Sequence, residues 1–285
     1  MSEGLAGIHR VGLSDAEYER LADLVRKWMG VSLEERNRPM VASRVQKLLR
    51  STGLSSVSAY CDLLERQGDP AAIGRFVDRI TTHHTYFYRD ADQFEAYRRE
   101  YLPEILRRIE SGGNRDLRVW CAAASTGEEP YTLAIIAQEV LGNAAPQWKT
   151  GVLATDISVG VLEQARRGIF AVEPLARLPE AWQQRWFRPL DAERVQAVKA
   201  LRDEVVFRRF NLLDPLPFRQ PFHFIFCRNV LIYFNPAMRR EVLSRLRDKL
   251  APGGYLFLGS SESLVPQEYG LERARASVFR RPLHG

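Results

Sequence analysis

The sequence predicts an α/β protein built on a mostly parallel sheet, with a small all-α domain ahead of the sheet and a small insertion within it. Three observations carry that reading. Residues 1–80 hold short amphipathic runs separated by helix-stopping residues, from Leu117 onward short apolar runs alternate with helical ones, and the stretch from Val172 to Val206 breaks that alternation. The expected organisation is a helical N-terminal domain over 1–80, a linker and connecting helix over 81–113, and an α/β domain over 114–285 with its insertion at about 172–206.

Each element has a local reason. Ser14 with Glu17 forms a capping box that opens an amphipathic run stopping at Gly30. A second helix begins near Pro39, a favourable first-turn residue, and ends at Gly53; a third opens at Ser55 or Ser56 and ends at Gly68; Asp69-Pro70 opens a fourth. Asp90 with Gln93 makes another capping box, starting a long helix that ends at Ser111-Gly112-Gly113. Then come a strand over Leu117–Cys121, a helix from about Glu128 to Leu141, a strand over Thr150–Thr155, and a helix over Ser158–Arg167. Further on lie a strand over Phe222–Cys227, a helix over Pro236–Leu250 and a strand over Tyr255–Gly259. This βαβ alternation gives a Rossmann-like, mostly parallel sheet, to which Leu271–Arg280 adds a final antiparallel strand. The insertion is marked by Pro174, Pro179 and Pro189, by Trp182, Trp186 and Phe187, and by many charges.

Composition excludes several classes. With 285 residues, 45% hydrophobic and 27% charged, the chain can bury a sizeable core. No apolar run approaches the roughly 18 residues of a membrane span, and Met1 to Arg10 lacks the apolar segment of a secretory signal, so a cytoplasmic protein without membrane insertion is expected. Cys61, Cys121 and Cys227 are odd in number and far apart, which suits buried free thiols. No Cys/His spacing resembles a zinc site, and the adjacent His83 and His84 diverge on a helix, so no metal is expected. The net charge of +6 permits a polyanionic partner without choosing one.

The chemistry concentrates between Arg118 and Ala134. An apolar strand passes through Ala122, Ala123 and Ala124 to a bend at Gly127 and an acidic helix start at Glu128 and Glu129, so a ligand can approach the backbone closely. Two carboxylates where a phosphate would sit argue against a nucleotide phosphate. Neither G-x-G-x-x-G nor G-x-x-x-x-G-K-[ST] occurs, and the second strand ends in Asp156, which suits a ribose beside a sulfonium or amino-acid moiety. That combination suggests S-adenosylmethionine.

Four ordered motifs then carry a resemblance: Arg118 to Tyr131 (R-V-W-x-A-A-A-S-T-G-E-E-P-Y), Ala154 to Ile157 (A-T-D-I), Asn211 to Leu213 (N-L-L) and Phe226 to Phe234 (F-C-R-N-V-x-I-Y-F). In these the chain resembles the CheR family, the chemotaxis receptor glutamate O-methyltransferases, over nearly its whole length. A further element, Thr81 to Arg89, is similar to the family's T-T-N-x-T-x-F-F-R, with His83 where Asn is usual. A neutral imidazole can replace one amide hydrogen bond but not donor and acceptor together.

The resemblance implies a class I S-adenosylmethionine-dependent methyltransferase fold whose insertion is a small antiparallel β-subdomain. It implies that Thr85 and Arg89 reach the cofactor pocket together with His83, that Glu129 holds the methionine amino group, and that Asp156 holds the ribose hydroxyls. By the same resemblance Asn211 and Leu212 contact the adenine, Asn229 lies near the methionine moiety, and Ala123, Ile157 and Arg228 complete the cofactor residues. The product is S-adenosylhomocysteine. Arg89 and Tyr233 are the expected catalytic residues, orienting a substrate glutamate carboxylate that is already ionised at neutral pH.

Positive charge gathers between Arg36 and Arg50, where Arg44, Lys47 and Arg50 share one helix flank opposite Val41, Val45, Leu48 and Leu49. In the CheR family the corresponding helix implies contact with the acidic cytoplasmic helical bundle of chemoreceptors, which makes these three the expected substrate-binding residues. The segment Arg188 to Lys199 is a few residues shorter than in relatives that dock a receptor's C-terminal pentapeptide and lacks their Gly-rich turn, so tethering is not expected. A monomer is expected. The rival readings are a nucleic-acid methyltransferase, which would need an N-P-P-Y type loop where Cys227-Arg228-Asn229-Val230 stands, and a non-catalytic cofactor-binding adaptor.

Overall fold

In the computed structural model the described residues are 13–29, 33, 35–67, 70–80 and 84–284, with the backbone alone described at 29, 36, 67 and 70–72. They fall into two compact units, Met1–Thr81 and Thr82–Gly285.

Among the described residues the first unit holds four α-helices, α1 (Asp15–Met29), α2 (Arg38–Thr52), α3 (Val57–Gln67) and α4 (Pro70–Ile80), with a short 3-10 turn over Glu35–Asn37 leading into α2. The Ser14–Glu17 box forms in full, with the Ser14 N–H and hydroxyl both donating to Glu17 Oε2 at 3.0 and 2.7 Å and the Glu17 N–H donating to Ser14 Oγ at 3.3 Å. Gly53 ends α2 in the left-handed conformation, as a C-terminal glycine should. The stops expected at Gly30 and Gly68, and the Asp69 start, lie outside the described residues.

The second unit opens with a helical run of α5 (Ala91–Ala96), a π-turn over Tyr97–Tyr101, and α6 (Leu102–Ser111). Pro103 has no N–H to donate and its ring crowds the carbonyl one turn back, so the backbone widens just before it. The Asp90–Gln93 capping box does not form. Asp90 is left-handed (φ 59°) and makes no side-chain cap, its carboxylate engages Arg228, and the Gln93 amide donates to the Leu258 carbonyl at 2.9 Å.

The alternation then runs β1 (Val119–Ala122), α7 (Glu128–Leu141), β2 (Val152–Asp156), α8 (Val159–Arg167), β3 (Ile169–Ala171), α9 (Val172–Leu175), α10 (Glu180–Trp186), β4 (Phe187–Pro189), β5 (Arg194–Ala197), α11 (Lys199–Asp203) and β6 (Val205–Arg209). It closes with β7 (Phe222–Cys227), α12 (Pro236–Lys249), β8 (Leu250–Leu258), β9 (Glu272–Arg275) and β10 (Val278–Arg280). The main sheet has the order β6-β2-β1-β7-β8-β10-β9, parallel from β6 to β8 and antiparallel at β10 and β9. A separate antiparallel sheet, β3-β5-β4, occupies the inserted region.

Two differences from the sequence reading have local causes. The single strand expected over 271–280 is a hairpin, because Ser277 turns left-handed (φ 55°) between β9 and β10. The strand β6, with its short alternating pattern, sits where the insertion was expected to end and pairs along the whole of β2. The core is aromatic: Phe94 and Tyr97 of the connecting helix pack on Phe226, which stacks on Phe257 with ring centroids 4.2 Å apart. This packing seats the segment before α5, including Arg89 and Asp90, near the end of β7.

Candidate cofactor and active site

The parallel registers gather the loops that matter. Ala122 is level with Thr155 on one side and Cys227 on the other, and Asp156 is level with Arg209, so the chain leaves the same sheet edge after β1, β2, β6 and β7. Ligand crevices of open α/β sheets lie at this carboxyl edge, where the strand order reverses.

The loop after β1 is tightly bent. Ala123 (φ 65°) and Ser125 (φ 50°) are left-handed, and Gly127 (φ 103°) packs so closely that a Cβ would stand 3.0 Å from the Ala165 methyl. The bend aims the Ser125 N–H at Asp156 Oδ2 (2.9 Å), while Oδ1 accepts from the Ser158 N–H (3.0 Å). Asp156 is buried at the end of β2, and a carboxylate with its several acceptor positions is the kind of group that takes a diol.

Glu129, in the first turn of α7, accepts from Arg228 at Oε2 (2.6 Å) and from the Cys121 thiol at Oε1 (3.3 Å). Arg228, with a side chain 1% exposed, also donates to Asp90 Oδ2 (2.7 Å) and to the Arg89 carbonyl (2.6 Å), and it lies over the Phe94 ring. Two carboxylates share one guanidinium, so this cluster has one more acidic group than basic and favours a cationic ligand group. Arg228, expected at the cofactor, thus spends its charge on Glu129 and Asp90. Glu128 is taken by the Thr126 hydroxyl (2.6 Å), and burial pushes its carboxyl above the usual range. Burial likewise raises the Cys121 and Cys227 thiols well above their ordinary values, Cys121 further because of Glu129, and so makes them unreactive.

The remaining expected residues follow around the edge. Phe210 donates its N–H to the Asp156 carbonyl (2.9 Å), placing Asn211, whose Oδ1 accepts the Leu213 N–H (3.1 Å), and the buried Leu212 directly beyond β6. Asn229 is left-handed (φ 57°), and Tyr233 ends a short 3-10 turn, half-buried. Ile157 and Thr85 are half-buried, and His83 lies outside the described residues. The Arg89 guanidinium donates to the His84 carbonyl (2.9 Å) and lies 5.8 Å from the Tyr86 ring centroid, with Arg177 of the inserted region 4.2 Å from the same centroid. Among the described residues Arg89 has no carboxylate partner.

The three expected substrate cations belong to the first unit and do not behave alike. Lys47 and Arg50 are exposed on α2, opposite the buried Val41, Val45, Leu48 and Leu49. Arg44 is half-buried and donates to the Ile80 carbonyl, so it ties α2 to the end of α4 and does not share the solvent-facing flank. Two acids at the site were not expected there from the sequence: Asp90, read as a helix cap, and Glu262, not singled out at all. The signal for Glu262 was available as a small-residue turn, Gly259-Ser260-Ser261, straight after an apolar strand.

Comparison with known proteins decides the family. Residues 83–278 match the CheR methyltransferase SAM binding domain, and residues 16–81 match the CheR methyltransferase all-alpha domain. The chain belongs to the CheR methyltransferase family. The chemotaxis protein methyltransferase of Escherichia coli K12 is 39% identical over 89% of this chain and 86% of its own length, and that of Borreliella burgdorferi is 32% identical over 89% and 90%. Like other CheR proteins, this chain is an S-adenosylmethionine-dependent methyltransferase with a class I fold. Its residues fit that cofactor: the Glu129–Arg228–Asp90 cluster, with two carboxylates to one guanidinium, matches an ammonium, the Asp156 carboxylate at the end of β2 is of the type that accepts ribose hydroxyls, and the methyl-sized residues after β1 leave the backbone open. Among the described residues no helix is long and apolar enough to cross a membrane.

Proposed function

We propose that the protein methylates glutamate side chains of chemoreceptors, giving glutamate methyl esters and S-adenosylhomocysteine, for adaptation in chemotaxis-like signalling. The observation that carries this reading is the contrast between two arginines next to each other in space: Arg228 is committed to two carboxylates, while Arg89 has none among the described residues. An arginine at the site with no carboxylate partner suits a carboxylate substrate.

S-adenosylmethionine, when bound, supplies an electrophilic methyl group on a positively charged sulfur. Asp156 accepts the ribose hydroxyls, Glu129 holds the amino group at the acidic cluster, Asn211 and Leu212 hold the adenine, and Asn229 lies near the methionine moiety. Arg89 and Tyr233 orient the incoming glutamate carboxylate. No side chain has to remove a proton, because a free glutamate of pKa about 4.3 is ionised at neutral pH. The protein's work is alignment and exclusion of water, since opposite charges cancel as the reaction proceeds. Arg89 must hold the carboxylate loosely, for an interaction equally strong before and at the transition state gives no acceleration.

The exposed Lys47 and Arg50 on α2 suit the acidic helical bundle of a receptor, with Arg44 supporting them from behind. We read the protein as a cytoplasmic monomer that does not use its three-stranded sheet for pentapeptide tethering. The test is transfer of radiolabelled methyl groups into chemoreceptor cytoplasmic fragments. Base-labile label in the fragment, lost in Arg89→Ala and slowed but still measurable in Tyr233→Phe while S-adenosylhomocysteine still binds, is the expected result. Label in nucleic acid alone, or binding without transfer, would overturn it.

A further inference from the structure

Glu262 is a buried carboxylate, 5% exposed, with no ion-pair partner among the described residues. What neutralises it is backbone. Oε2 accepts the N–H groups of Asn229 (2.8 Å) and Gly259 (2.7 Å), and Oε1 accepts those of Leu231 (2.8 Å) and Ile232 (3.3 Å). Its own N–H donates to the Gly259 carbonyl (2.8 Å), and Ser277 donates its hydroxyl to the Glu262 carbonyl (3.0 Å), so the side chain is anchored at its base.

The location gives this geometry its meaning. β7 and β8 run in parallel register up to Cys227 and Leu258, and beyond that pair both chains leave the sheet. One becomes the turn from Arg228 to Tyr233, the other the turn from Gly259 to Glu262. Glu262 folds back between them and pins three amides of the first turn, including that of Asn229 in its left-handed conformation (φ 57°). A non-glycine residue in that region is strained and persists only where its surroundings hold it. Gly259 completes the hold, since a Cβ there would stand 2.6 Å from Asn229 Nδ2 and 2.8 Å from Glu262 Oε2.

We propose that Glu262 is a positioning residue for methyl transfer, fixing the turn that carries Asn229 and Tyr233 so that both face the cofactor and the substrate carboxylate. The proposal rests on the reading of those two residues as site residues. A glutamine cannot substitute, because one carbonyl oxygen must serve four donors and its own NH₂ faces N–H groups. An aspartate keeps the charge but falls a methylene short. Charge-assisted bonds of this kind exceed neutral ones, and small displacements of reacting groups cost about 100-fold in rate.

The test measures kcat, KM for a chemoreceptor cytoplasmic fragment, and S-adenosylhomocysteine affinity in Glu262→Gln, Glu262→Asp, Gly259→Ala and Tyr233→Phe. We expect Glu262→Gln to lower kcat by roughly 10- to 100-fold with a much smaller change in KM, and Glu262→Asp to recover part of the loss. Gly259→Ala should produce a similar kcat loss without altering any charge, which keeps the test sound if Glu262→Gln fails to fold. Adding Glu262→Gln to Tyr233→Phe should cost little more than Tyr233→Phe alone, because both act on one turn. Full additivity of the two substitutions, or wild-type kcat in Glu262→Gln, would overturn the proposal while leaving the functional reading intact. Absence of transfer by the wild-type protein would instead overturn the functional reading and this proposal with it.

Discussion

The charges on α2 of the first unit and those at the candidate site of the second follow opposite rules. In the first unit Lys47 and Arg50 stand in solvent, and the ion pair of Arg38 with Asp15 leaves the two side chains 25% and 89% exposed. In the second unit Arg228 is 1% exposed and its partner Glu129 15%. Exposed pairs contribute about 0–1 kcal/mol and are screened by salt, whereas breaking a buried pair strands an unpaired charge. The first arrangement suits an encounter surface and the second a site whose geometry is set before a ligand arrives.

The largest effect should come from breaking the buried side of that contrast. Arg228→Ala leaves Glu129 and Asp90 facing each other and should cost about 3–5 kcal/mol of stability, seen as a lower midpoint in denaturant unfolding. A loss near that of an exposed arginine would mean that water enters the cluster. A second buried group gives a smaller, pH-dependent effect. Burial, with help from Arg118 and Arg108, lowers His223 from 6.5 to about 4, and its Nδ1 accepts the Arg118 N–H (3.1 Å). The unfolded chain therefore binds a proton in that window that the folded chain does not. Stability should be full above about pH 6.5 and fall toward pH 4, by at most about 1.4 kcal/mol per pH unit from this group. His223→Gln should flatten that slope. Smallest of all should be the effect of Lys47→Glu with Arg50→Glu on stability, within about 0.5 kcal/mol. The same variant should raise KM for a receptor fragment most at low salt, and salt-independent loss would remove the encounter role.

How far the sequence could be read follows the same division. Periodicity and capping chemistry exposed the helices and parallel strands, because Ser14–Glu17 and Gly53 act within a few residues of themselves. The sheet edge that carries the candidate site was legible because motif residues sit directly after strands, whose ends the fold must bring together. Partnerships across the sheet were not. Asp90 looked like a cap because its local spacing fits one, yet Arg228, far along the chain, takes its carboxylate, and Gln93 is drawn to Leu258. Arg44 looked like a surface cation because helical geometry places it beside Lys47, but the Ile80 carbonyl lies within its reach. β6 was missed because its five residues carry too little pattern to separate them from the charged stretch before them.

The central claim is that the buried acidic cluster around Glu129 holds the amino-acid end of the cofactor, with Asp156 holding the sugar. Calorimetric titration of wild type and Glu129→Gln with S-adenosylhomocysteine and with methylthioadenosine, the same nucleoside lacking the amino-acid end, tests it most directly. Glu129→Gln should lose about tenfold or more in affinity for S-adenosylhomocysteine, the scale of a charge-assisted hydrogen bond, and bind methylthioadenosine as wild type does. Equal losses for both ligands, or unchanged affinity for S-adenosylhomocysteine, would contradict the account.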